Sequence, residues 1–299
     1  MTSPNILDRA DGIVAALLTP YRPDGTVAVD VLQQHTSQLV EAGIDGLYVC
    51  GSTGDGVALD EDSRVLCTRA VVDAVDGEVP VIAHVGTNSI ELTLQLADRS
   101  VGAGADAISS IPPSIPLTEA EVRGYFLDLI RDAPAPLIAY NFPARAGVRL
   151  SQELLAELVE QPNLHGLKNT SGDVFEMSAF TRLRDGKFRV WNGHDEVLYA
   201  GLSVGACGAI GSTFNAFPTL YLDLLRHYRD GDHDAAMAVQ RQVEDLVRVL
   251  ATYGVMPALR AILTSRGLDM GPSRRPLLDL DDATRRRLLE DIDALDLTA

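Results

Sequence analysis

Short apolar runs rich in valine, isoleucine and alanine alternate along the chain with longer stretches whose apolar positions recur at helical spacing. The short runs fall at 13–18, 46–50, 79–85, 105–111, 136–140, 166–168, 188–192 and 205–210, and they read as strands buried on both faces. Between them the spacing predicts helices over 29–42, 61–75, 90–102, 119–131, 152–160 and 175–184. Leu59-Asp60-Glu61-Asp62 and Leu150-Ser151-Gln152-Glu153 have the capping residue and early acids of helix starts. Eight strands alternating with helices predict an α/β fold with a parallel sheet, closed on itself as a (β/α)8 TIM barrel. An open doubly wound sheet is the rival. It normally carries a glycine-rich dinucleotide turn after its first strand, where this chain has ALLTPYRPDG. GACGAIGS at 205–212 spaces glycines by three, but close packing of a late strand accounts for it.

Helical spacing continues past the eighth strand, over 220–228, 234–250, 256–265 and 284–295. The chain therefore reads as a barrel over 1–218 with a C-terminal helical extension over 219–299, packed as one unit. Arg285, Arg286 and Arg287 interleave with Asp281, Asp282, Glu290 and Asp291, as on a solvated helix face.

A formal charge of −17 argues against nucleic acid or an anionic membrane as partner. Any anionic substrate needs a locally built positive site. Cys50, Cys67 and Cys207 are odd in number and form no CxxC pair, so a disulfide framework is not expected. Residues 1–12 lack the basic start and apolar core of a signal peptide, and no apolar run reaches membrane-spanning length. A cytoplasmic location is the expectation.

In a barrel, reactive groups gather at the C-terminal ends of the strands. The unusual polar segments of this chain fall there: GSTGDG at 51–56, YNFPARAG at 140–147, KNTSGD at 168–173, NGHDE at 192–196 and GSTFN at 211–215. Each alone is a plausible turn. Together they mark one face. Of 25 basic residues only Lys168 and Lys187 are lysines, and Lys168 ends a strand. Desolvation there lowers an amine's pKa and frees it to attack a carbonyl, which an arginine cannot do. The competing role is a lysine that reaches the rim or pairs with Asp173. Tyr140 at the end of the preceding strand serves either as a proton shuttle or as an amphipathic cap of the core. Ser52 and Thr53, with the backbone amides of their turn, can hold a carboxylate. Arg145 can clamp a second anion or simply be an exposed loop residue. His194, Asp195 and Glu196 raise a metal alternative, but consecutive residues rarely ligate one ion, and polar contacts to a hydroxylated substrate suit the two acids better. No metal or cofactor is expected. Cys50 reads as a small buried cysteine.

From about Gly12 to about Leu263, GIDGLYVCGSTGD, IAHVG, YNFPARAG, GLKNTSGD, NGHDE and GAIGSTFN occur in the order seen in a known family. The chain resembles the N-acetylneuraminate lyase and dihydrodipicolinate synthase family of class I pyruvate aldolases, and its details are closer to the lyase branch. The resemblance implies a (β/α)8 barrel with a helical extension, usually a homotetramer, that joins or splits pyruvate and an aldehyde. It assigns the Schiff-base lysine to Lys168, the proton shuttle to Tyr140 and pyruvate carboxylate binding to Ser52 and Thr53. It assigns contacts with a long polyhydroxy substrate to Thr170, Gly193, Asp195, Glu196 and Ser212. Arg145 instead matches the arginine with which the synthase branch holds its aldehyde's carboxylate. Two departures stand out: IPPSIPLTEAE has Ser114 and Ile115 where family members commonly have aromatic residues including a relay tyrosine, and Asp55 replaces the usual glutamate. Cleavage of a 2-keto-3-deoxy sugar acid, or dehydration through the same imine, is the alternative outcome.

Overall fold

A computed structural model describes residues 6–295 and 297. Residues 1–5 of the stretch read for a signal peptide, and 296, 298 and 299 at the end of the extension, lie outside the described residues. Eight strands run in parallel and close in sequence order: β1 (Ile13–Ala16), β2 (Gly46–Val49), β3 (Val81–His84), β4 (Ala107–Ser110), β5 (Leu137–Asn141), β6 (Leu164–Asn169), β7 (Arg189–Asn192) and β8 (Gly208–Gly211). β8 pairs back onto β1 through Val14↔Ile210, so the sheet has no edge. Most strands are only four residues long and buried throughout, which is why they appear in the sequence as unbroken apolar runs.

Two apolar layers make the core. Inside the barrel, Val14, Tyr48, Ile82, Ile138, Trp191 and Ile210 fill the lumen. The lower end is stoppered by the 3-10 turn Ile6–Ala10: Leu7 and Ala10 join the lumen cluster, and Trp191 Nε1 donates to Ala10 O at 2.6 Å. Outside, the helices pack their apolar stripes on the other strand faces.

The helix starts obey the capping signals. Asp60 accepts from the Ser63 amide and Ser151 from the Leu154 amide, and Thr118 with Glu121 forms a reciprocal capping box. The helix expected over 175–184 is interrupted, because it ends at Phe180 and Arg184 and Asp185 take left-handed backbone angles. The strand expected from 205 starts at 208, since Gly205 turns with φ 99°. After β8, the helix Pro218–Arg229 packs on β1, followed by His233–Tyr253, Val255–Ser265 and Asp282–Asp293.

These last helices are stitched to the strand ends. Arg260 donates to Thr19 O at 2.6 Å, Met270 O at 3.1 Å and Asp55 Oδ2 at 3.1 Å. Gln240 accepts from the Tyr199 amide and donates to Glu196 O, both at 2.8 Å. The extension thereby holds the loops after β1, β2 and β7 in place.

Candidate active site

At the C-terminal ends of the strands lies a cavity of about 420 Å³. All ten residues singled out in the sequence line it: Ser52, Thr53, Tyr140, Arg145, Lys168, Thr170, Gly193, Asp195, Glu196 and Ser212. Phe142, Val247, Ala251, Val255 and Met256 add an apolar wall, four of them from the extension. A larger groove of about 850 Å³ opens beside it past Val57, Arg64, Asn88, Ser114 and Arg145. The smaller cavity is the candidate site because it contains the amine.

Lys168 is inward-facing on β6, in register between Tyr140 on β5 and Trp191 on β7. It is only 5% exposed, and burial lowers its pKa to about 7, with the charge of Asp195 working in the opposite direction. Near neutrality roughly half the population is therefore a free amine. The competing pairing with Asp173 is not what Asp173 does: its carboxylate caps the helix Val174–Phe180 by accepting from the Glu176 amide at 3.0 Å.

Tyr140 is 3% exposed and its ring centroid is 4.5 Å from Lys168 Nζ. Burial pushes its hydroxyl up to about 12, offset in part by the hydroxyls of Thr170 and Ser52. It is a protonated phenol at neutral pH, able to donate. Thr170 Oγ1 is buried beside the Tyr140 hydroxyl, and a Cβ on Gly193 would fall 1.9 Å from it. The absence of a side chain at 193 is what gives that hydroxyl its place.

The turn carrying Ser52 and Thr53 is tightly built. Cys50 and Asp55 take left-handed angles at φ 57° and 56°, and a Cβ on Gly56 would lie 1.7 Å from Cys50 O. Thr19 Oγ1 donates to Gly54 O at 2.7 Å. Asp55, the residue in place of glutamate, is 7% exposed and is an anchor. It accepts from Arg260 at 3.1 Å and Tyr21 OH at 3.2 Å, although burial still raises its pKa. Cys50 is buried, as expected.

Asp195 departs from its expected use. One oxygen, Oδ2, accepts from the amides of Ser212 (3.1 Å) and Thr213 (3.0 Å) and from Thr213 Oγ1 (2.7 Å). That half of the carboxylate shapes the turn after β8, and only Oδ1, buried and without a partner, retains accepting capacity. Burial raises the Asp195 pKa. Glu196 points differently and binds His194, with Nδ1 3.2 Å from Oε1, which raises the histidine's pKa and lowers the acid's. His194 and Glu196 thus pair with each other while Asp195 turns to the loop after β8, so the three do not share one point. Arg145 is exposed on the short helix Pro143–Ala146, between the cavity and the outer groove.

Several residues of the site escaped sequence reasoning. Tyr48 on β2 places its ring 4.6 Å from Lys168 Nζ. His84 on β3 is 4% exposed and kept neutral by burial, with the charges of Arg64, Lys168 and Arg145 adding to the effect. Behind the site, on the opposite strand face from Tyr140 and Lys168, Asn141 and Asn169 are paired in register, Asn141 Nδ2 donating to Asn169 Oδ1 at 2.8 Å.

Residues 9–295 match the model of the dihydrodipicolinate synthetase family. The chain is 36% identical to the N-acetylneuraminate lyase of Rhizobium meliloti (strain 1021), with 94% of each chain covered. It is 33% identical to the 4-hydroxy-tetrahydrodipicolinate synthase of Xanthomonas axonopodis pv. citri (strain 306), over 91% of this chain and 90% of the other. Among solved structures it superposes on Proteus mirabilis N-acetylneuraminate lyase with a TM-score of 0.90 at 31% identity, over 96% of this chain and 99% of that one.

Proposed function

The chain belongs to the dihydrodipicolinate synthetase family, and we propose that within it the protein is a Schiff-base-forming aldolase that splits or joins a 2-keto acid with pyruvate as one component, in the manner of an N-acetylneuraminate lyase. The observation that carries this reading is Lys168, a buried amine with its pKa lowered to about 7, placed against the Tyr140 phenol in a cavity open to small molecules.

The neutral amine attacks C2 of the keto acid, and Tyr140 gives its proton to the departing oxygen, which leaves as water. The iminium so formed draws in the electrons of the C3–C4 bond as that bond breaks. The Tyr140 phenolate takes the C4 hydroxyl proton, releasing an aldehyde and an enamine. Protonation at C3 and addition of water then free pyruvate and the lysine. In this reading Ser52 and Thr53 hold the carboxylate at C1. Thr170, Gly193, Glu196, Ser212 and the free oxygen of Asp195 face the hydroxylated remainder.

Arg145 favours a second reading on the same imine: a substrate whose far end carries an anion, as in the synthase branch, or a 2-keto-3-deoxy sugar acid that is cleaved or dehydrated. Assembly as a homotetramer, which the resemblance implies, is part of the same proposal.

The test is to mix the protein with pyruvate, reduce with borohydride and digest for mass spectrometry. The expected result is an adduct on the peptide containing Lys168. No adduct in folded protein, with pyruvate or with longer 2-keto acids, overturns the proposal. Aldehyde partners and keto acids are then screened to separate the two readings.

A further inference from the structure

The chemistry above uses one of the two rings that touch the amine. The other belongs to Tyr48, fully buried on β2. The two rings are 6.3 Å apart and inclined at 82°, so Lys168 Nζ meets an aromatic ring on two sides. Tyr48 OH donates to Ser109 Oγ at 2.9 Å, and Ser109 Oγ donates onward to Ile138 O at 2.7 Å. The phenol proton is therefore spent on fixing the ring and does not point at the reacting atoms. The same ring supports the turn that carries Ser52, since a Cβ on Gly51 would fall 2.5 Å from Tyr48 Cε1.

An aromatic face is electronegative, and it attracts a desolvated cation more strongly than a hydrated one. The charged and titratable groups around Lys168 leave that attraction a task. From the segment after β7, Asp195 favours the cation, but its Oδ2 is occupied by Ser212 and Thr213. His194 beside it opposes a positive charge and is itself paired with Glu196. From β3, His84 is neutral, and Arg145, from the helix after β5, is among the cations that keep it so. Arg64, from the helix Glu61–Val75, reaches Tyr48 and His84 from behind.

We propose that Tyr48 is a positioning residue for the amine: its ring, locked by Ser109, closes an aromatic clamp with Tyr140 that holds positive charge on Lys168 Nζ and then on the imine nitrogen. The clamp rests on the reading of Lys168 as the imine-forming residue. It gives the imine the charge that makes it an electron sink, without a second carboxylate that would pin the amine in a salt bridge.

The chain has two lysines, so protein labelled with ¹³C at lysine Cε gives two resonances, and exposed Lys187 is an internal reference. Their titration by NMR reads the Lys168 midpoint with no keto acid present. Tyr48→Phe keeps the ring face and is expected to leave the midpoint in place. Replacing Tyr48 by 3,4,5-trifluorophenylalanine keeps the shape but weakens the face, and is expected to lower the midpoint by about one pH unit relative to Tyr48→Phe. Tyr48→Leu is expected to lower it as well; if that variant does not fold, the fluorinated ring still decides. A midpoint unchanged or raised by fluorination overturns the clamp. Because the titration needs no substrate, its failure is distinct from a failed pyruvate trapping, which removes the role of Lys168 instead.

Discussion

Keeping an amine dry enough to react destabilises the fold, and Lys168→Met is the substitution that exposes the cost. Methionine is unbranched and flexible, and it fills the same channel without a charge. The drop in the Lys168 pKa from 10.5 to about 7, at about 1.4 kcal/mol per pH unit, corresponds to a penalty of roughly 5 kcal/mol wherever the amine is protonated in both states. The sign follows from proton binding. Below pH 7 folded and unfolded chains both carry the proton, and the full penalty applies. Between pH 7 and 10.5 only the unfolded chain holds it, so the wild type gains on the variant as pH rises. Lys168→Met is therefore expected to be more stable by about 5 kcal/mol at pH 6 and by about 2 kcal/mol at pH 9. Urea unfolding at both pH values, followed through the single tryptophan Trp191 beside it in register, measures the difference. A variant no more stable than wild type at pH 6, or equally advantaged at pH 6 and pH 9, would refute burial as the source of the lowered pKa.

Tyr140→Phe is expected to slow turnover by roughly 10²–10⁴-fold while the protein stays folded, and an unchanged steady-state rate would remove its proton-transfer role. Arg145→Ala is expected to raise KM roughly tenfold for substrates with an anionic far end, while uncharged substrates change little; equal effects on both kinds count against the clamp. Gly193→Ala forces the Thr170 hydroxyl out of its place and is expected to cost roughly 10²-fold in kcat/KM with an unaltered circular dichroism spectrum. Full activity in that variant would mean that the position of the hydroxyl does not matter.

The barrel was legible because strands buried on both faces leave unbroken apolar runs, and because Asp60 and Ser151 announce their helices. What blurred was the ends of elements. Gly205 and the Arg184–Asp185 break owe their conformations to φ values that hydrophobic spacing does not encode. Seven of the ten cavity residues were legible because polar groups at strand ends stand out against apolar strands, whereas Thr170, Gly193 and Ser212 were assigned by the resemblance. Tyr48 and His84 were hidden for the opposite reason: they sit within apolar runs, and only barrel closure reveals that they face Lys168. Asp195 could be placed in the site, but not divided between its two oxygens. That needed the turn after β8, seventeen residues away, to fold back onto it.

The stopper of Leu7, Ala10 and Trp191 has a kinetic meaning. It closes the lower end of a lumen that Val14, Ile82, Ile138 and Ile210 already fill, so the cavity around Lys168 has no passage through the barrel. If a keto acid is tethered at Lys168 as proposed, its two fragments would have to leave on the same side, the one farther from the amine first.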